Sequence, residues 1–259
     1  MYLEIIAFII LISGCAKMPE NNDGSSYSPP ETIKDIAYDV NKEYEYTIYI
    51  KENESYEPYL VLDSKYDKGV LLLKKYLEGE DVCFNPHQSQ GSRGGYYPES
   101  NVDVYLSTDF LSRFTTTFQN KILDTTISVT TIDGVGAAGR KRETESIQRK
   151  IFLLSATELN LKSILACVEG KPLAYFKGGK NYIATNKNGD AMAYWLRTAY
   201  LWSDIQAWSI GITGGGAVGG DLVSTTLAVR PAFCIDGSTA IKETDGIIEG
   251  KKVYTLDIQ

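Results

Sequence analysis

The chain has 259 residues, a formal net charge of −7, 43% apolar residues and 23% charged residues, a globular composition long enough for one large domain or two small ones. The acidic balance excludes a general nucleic-acid binder, which needs a basic stripe. The one strongly basic run, Arg140-Lys141-Arg142, is diluted by Glu143 and Glu145 and reads as a solvated loop.

The N-terminus runs MYLEIIAFIILISGCAKMPE. Its apolar stretch, Ile5 to Ile12, is too short to span a bilayer as a helix, which takes about 20 apolar residues. It fits the apolar core of a signal peptide. The ending Ile12-Ser13-Gly14-Cys15 resembles the bacterial lipobox. That resemblance implies cleavage after Gly14 and a diacylglycerol thioether on Cys15. Two acyl chains anchor a protein more durably than one. The segment departs from the usual pattern in carrying Glu4 and no Lys or Arg before the apolar stretch.

Residues 16–34 are polar, with Pro, Gly, Ser and Asn, and read as a flexible tether. The expected organisation is a lipoprotein signal peptide at 1–14, a lipidated cysteine and tether at 15–43, a domain at 44–237 and a C-terminal strand or tail at 238–259. The expected place is the cell envelope, outside the cytoplasm, held to the membrane through Cys15.

EYEYTIYI, residues 43–50, alternates as a half-buried strand. Residues 58–76 read as two strands turning at Ser64 to Gly69, followed by a Gly- and Tyr-rich loop to Ser100. A helix is predicted from about Asp103 to Lys121, because Leu106, Phe110, Phe114, Phe118 and Ile122 recur every four residues. TTISVTTI (125–132) and IFLLS (151–155) read as strands. Ser155-Ala156-Thr157-Glu158 has the capping-box pattern and predicts a short helix through about Leu165. YWLRT, AWSIGI, LVSTTLAVRPAF and GKKVYTLDI read as short strands around glycine loops. Long βαβ repeats are missing from this pattern, so it points to an α+β domain rather than a doubly wound sheet.

Val61-Leu62-Asp63, GVLLLKKY (69–76), YLSTDFLSRF (105–114), IFLLSATE (151–158), YWLRT (194–198) and LAVRPAF (227–233) occur in an order that resembles a bacterial family of unknown function with a W-L-R-S stretch followed by V-R-P-A. Thr198 stands where that family usually has Ser. The family is similar to the formylglycine-generating-enzyme branch of the C-type lectin fold. The resemblance, over about residues 44–236, implies a C-type-lectin-like domain with two helices, short antiparallel sheets and long loops. It also implies that Trp195 is scaffold and that residues 199–226 form a displayed loop region. All three tryptophans lie in YWLRTAYLWSDIQAWS, residues 194–209. Tyr200, Trp202, Asp204, Gln206 and Trp208, joined by Tyr96 and Tyr97, are therefore the expected ligand-binding residues. A glycan or a protein is the expected ligand, since Tyr and Trp give large contact area at low entropic cost.

Other chemistry is weaker. The related oxidase holds copper with two close cysteines, a pattern that Cys167 and Cys234 do not match, so no cofactor or metal is expected. With Cys15 assigned to lipid, Cys83, Cys167 and Cys234 leave one disulfide plus a thiol, or three thiols, both open. Cys83 and His87 could pair as nucleophile and base, but a single loop histidine is more often solvated. Gly134 to Gly139 and Gly214 to Gly219 match GxGxxG literally, yet neither opens an amphipathic helix, so both read as turns. Arg197 and Arg230 read as structural groups fixing the loop ends. The expected function is non-enzymatic ligand binding by a lipid-anchored envelope protein. The alternatives are a structural envelope protein without a specific ligand and, behind it, a Cys83/His87 enzyme.

Overall fold

The computed structural model describes residues 29–41, 47–86, 91–98, 100–138, 140–212, 218–248 and 251–257. Cys15 and His87 lie outside these residues, so the lipidation and Cys83/His87 readings are not addressed by the fold. In chain order the described strands are β1 (Thr47–Glu52), β2 (Ser55–Tyr66), β3 (Gly69–Lys74), β4 (Glu78–Cys83), β5 (Thr125–Thr130), β6 (Thr144–Arg149), β7 (Ile151–Phe152), β8 (Tyr194–Ala199), β9 (Gln206–Ile210), β10 (Val218–Leu222), β11 (Thr226–Val229), β12 (Ala232–Ile235), β13 (Ile241–Ile248) and β14 (Lys251–Leu256). Two α-helices of about one turn, α1 (Asn101–Tyr105) and α2 (Thr116–Gln119), accompany them.

A seven-stranded sheet has the order β13-β14-β1-β2-β3-β12-β7, and a five-stranded sheet the order β10-β9-β8-β11-β4. β5 and β6 pair by themselves. Most neighbours are antiparallel, but β14 runs parallel to β1 and β11 parallel to β8. β3 lies inside the larger sheet, so GVLLLK is buried along its whole length and reads as a continuous apolar run.

This architecture overturns the expected α+β, C-type-lectin-like fold. Among the described residues the protein is mostly β, with 40% strand against 12% helix, in mixed sheets. Neither expected helix survives intact. The apolar stripe is real, since Leu106, Phe110, Phe114, Phe118 and Ile122 are all buried. The backbone beneath it does not stay α-helical. It widens into a π turn at Leu106–Phe110, tightens to a 3-10 turn at Leu111–Arg113, and becomes extended at Phe114 (φ −91°, ψ 147°). The hydroxyls of Ser107, Thr108 and Ser112 all donate to backbone carbonyls three or four residues back, which competes with regular helix bonding. Thr115 then caps a new start, accepting from the Phe118 amide at 3.3 Å.

The second helix does not form at all, although its capping pair does. Ser155 donates its amide to Glu158 Oε2 (2.9 Å), and Glu158 donates its amide to Ser155 Oγ (3.1 Å). The chain then turns away through Asn160 at φ +60°.

The folded part also begins before residue 44. Thr32 bridges to Ala240, and Ile33 and Ile36 of a 3-10 turn are fully buried. At the other end, β13 and β14 form a hairpin whose second strand lies beside β1.

Candidate functional site

The segment that holds all three indoles divides after β8. Every residue of β8 is buried. Trp195 packs edge-on against Phe84 at 5.5 Å and donates its indole N–H to the Val82 carbonyl at 2.9 Å. Arg197, next but one, makes a bidentate pair with Glu158 (2.7 Å for both bonds) and also donates to the carbonyls of Leu153 and Ser128. Tyr66 donates its hydroxyl to the same Glu158 carboxylate. The Thr198 hydroxyl donates to Glu169 (2.7 Å) and accepts from the Ala156 amide (2.9 Å). Glu169 also takes the amide and hydroxyl of Thr130. Burial pushes the Glu169 carboxyl above its ordinary value, against the pull of Arg197 and the threonines. Arg197 is thus a structural group, enclosed and satisfied.

After Ala199 the chain turns out and back into β9. Leu201 is buried and fastens the turn: its amide donates to Leu165 O (3.0 Å), and its carbonyl accepts from the Ala138 amide (2.7 Å). Asp204 holds the 91–95 loop, accepting from Gly95 N at its backbone carbonyl (2.9 Å) and from Gly91 N at its carboxylate. Two glycines make this closeness possible. A Cβ at Gly95 would lie 2.4 Å from the Gln206 carbonyl, and one at Gly136, whose φ is +68°, would lie 2.7 Å from the Asp204 Cβ. Gly136, next to Val135, therefore serves the turn.

Trp202 stands on this scaffold 60% exposed, while Trp208 is 4% exposed. Trp208 spends its N–H on Leu165 O (3.2 Å), and its ring lies 6.2 Å from that of Tyr200. Tyr97 is buried too, with its hydroxyl accepting from the Leu153 amide (3.3 Å), and burial raises its pKa well above the usual phenol range. Trp208 and Tyr97 are therefore core residues, and the expectation that they face a ligand is corrected. Tyr200, Asp204, Gln206 and Tyr96 are half-buried. Gln206 donates to Gly220 O (2.7 Å), and Tyr96 donates its hydroxyl to Glu145 (2.8 Å). Beside the turn, Ile164 is exposed, and Arg142 donates to its carbonyl.

The family model for Domain of unknown function (DUF6273) matches residues 67–237. The chain belongs to the DUF6273 family. The match takes in β3 to β12, and hence the whole Trp202 turn, and leaves β1, β2 and the C-terminal hairpin outside it. No curated protein and no solved structure matches the chain. The DUF6273 region also contains the three cysteines. Cys83, Cys167 and Cys234 are all free thiols, and burial pushes Cys234 up to about 12. Cys83 is half-buried, with Asn101 Nδ2 at 3.6 Å from its sulfur.

Sequence reasoning missed a second cluster, on the other sheet. Lys74 at the end of β3 is buried among Glu52, Glu57 and Glu78. The visible signal was a lysine ending an unbroken apolar strand, GVLLLK. It also missed a cleft of about 330 Å³ between the β2–β3 turn, β5 and residues 170–173, lined in part by Glu158. Among the described residues no helix is long and apolar enough to cross a membrane.

Proposed function

We propose that this protein is an envelope protein, anchored through lipid on Cys15, whose folded domain binds a glycan or protein ligand without catalysis. The contact surface in this reading is the turn around Trp202. One observation carries it: the single largely exposed indole stands on backbone fixed by Leu165, Ala138 and Gly95. An aromatic face held in place loses little conformational freedom on contact, which favours its use in recognition. Half-buried Tyr200, Asp204, Gln206 and Tyr96 flank it and would supply polar contacts. The lipobox-like Ile12-Ser13-Gly14-Cys15 supports the anchoring half.

The test is acrylamide quenching of tryptophan fluorescence in the full chain, followed by a glycan and protein screen. Trp202→Phe should abolish most of the quenchable emission and Trp208→Phe should not. A ligand from the screen should protect the indole and lose affinity in the Trp202 variant. Unchanged quenching in Trp202→Phe, or ligands indifferent to it, overturns the binding surface. Fatty-acid labelling of wild type but not of Cys15→Ala is the expected result for the anchor.

A further inference from the structure

The Lys74 cluster sits on one face of the seven-stranded sheet. Tyr59 pairs in register with Lys74 on β3 and with Ile48 on β1, and alternation brings Glu52 and Glu57 to the same face. Lys74 is 1% exposed and Glu52 4%. Nζ of Lys74 contacts Glu52 Oε1, lies 2.9 Å from Glu78 Oε1 and 3.7 Å from Glu57 Oε2. The rings of Tyr59 and Phe110 flank it at 5.3 and 5.5 Å. The Tyr59 hydroxyl donates to the same Glu52 oxygen that Lys74 touches.

The surrounding charges are distributed unevenly. Glu78 has its own cation at the rim, Arg113 (3.0 Å), and Glu57 has Lys187. Arg113 reaches Glu52 only at 3.5 Å. What remains at the centre is a buried ammonium and carboxylate in contact, with the rings of Tyr59 and Phe110 beside them. Keeping such a pair ionised away from water is costly, and a neutral product avoids that cost. Held in contact, the two groups also have the high effective concentration of a well-oriented intramolecular pair.

The geometry points to a covalent amide between Lys74 Nζ and Glu52 Cδ, formed in the folded protein with loss of one water. Glu78 Oε1 takes a proton from the ammonium, and once a proton has reached Glu52 the freed lone pair attacks Cδ of that neutral carboxyl. The Tyr59 hydroxyl stabilises the charge that builds on Oε1. Nη1 of Arg113 lies 3.0 Å from Glu78 Oε2 and 3.5 Å from Glu52 Oε2, which brings both carboxylates to one guanidinium edge. Glu78 can therefore pass protons to Glu52 Oε2, whose bond to Cδ breaks. Of the three ammonium protons, one stays on the amide nitrogen and two leave in the water. No oxidant or other reactant is required. Glu78 and Glu57 keep Arg113 and Lys187 as partners, so the site stays neutral overall. The bond ties β1 to β3 across β2.

The experiment is peptide mapping of the full-length chain after digestion at Lys and Arg. Acylated Lys74 resists cleavage, so residues 52–65 should appear joined to residues 69–75, at their summed mass less one water. Fragmentation should place the link on Glu52. Lys74→Met should release the 52–65 peptide, and Glu78→Gln should leave much of the wild-type pair unjoined. Recovery of both peptides unjoined from folded wild-type protein overturns the proposal. So does a link placed on Glu54 or Glu57, or loss of water that persists in Lys74→Met.

Discussion

Two consecutive stretches of one segment behave as opposites. Trp195 to Thr198 lie in a central strand, and each polar side chain there has a fixed partner inside the protein. Tyr200 to Ile205 form a turn whose backbone is equally well fastened but whose largest side chain, Trp202, faces solvent. Rigidity is thus common to both, and only the direction of the side chain differs. In β8 the side chains consume the hydrogen bonds. In the turn the backbone and Asp204 do so, which frees the indole for something else.

The comparison can be broken most severely at Glu158. Glu158→Ala leaves Arg197 buried without its counter-ion and should cost about 3–5 kcal/mol, read as a lower urea midpoint. A loss under about 1 kcal/mol would mean that water reaches Arg197 and that β8 is less closed than its geometry indicates. On the turn side, Gly136→Ala combines a positive φ with a collision at Asp204, and should cost about 1–3 kcal/mol and raise acrylamide quenching of Trp208. No change in either would show that Gly136 is not needed for the fit.

Glu169 sharpens the contrast through pH. Burial raises its carboxyl above the ordinary 4.5, so the folded state holds that proton more tightly than the unfolded chain. That contribution is complete below 4.5 and is lost as pH climbs through the raised value. Glu169→Gln should therefore flatten the stability profile between 4.5 and the raised value, measured as unfolding midpoints across a pH series. Superimposable profiles would refute the buried, protonatable state. The smallest effect is expected at Trp202, where substitution by Ala should change stability by less than about 0.5 kcal/mol. A larger loss in thermal unfolding would place the indole among the core residues after all.

Much of the strand pattern was legible because runs such as GVLLL, residues 69–73, are apolar along their whole length. The face of the expected helix was legible for the same reason: Phe110, Phe114 and Phe118 do point inward. Its continuity was not, since periodicity cannot report which of Ser107, Thr108 and Ser112 will bond to the backbone. Ser155 and Glu158 carry a true local signal, yet Glu158 is captured by Arg197 on a distant strand, and no window around Ser155 contains that information. Trp202 and Trp208 have similar neighbours in sequence. What separates them is the carbonyl of Leu165, which takes the N–H of one and the backbone of the residue before the other. The fold-level resemblance failed because short motifs shared in order do not specify how strands are arranged.

The parallel pairing of Ile48 with Tyr254 sets an order of events during synthesis. A chain made from its N-terminus can pair β1 with β2 at once, through the tight connection between Glu52 and Ser55. The opposite edge of β1 has to wait until β14 emerges, after nearly all of the described structure. Until then it presents an open row of amides and carbonyls, the kind of edge that recruits stray strands. Long-range closure of this sort is slow and exposes the intermediate to misassembly. A nascent or truncated chain that lacks β14 is therefore the form of this protein with the greatest need of a chaperone.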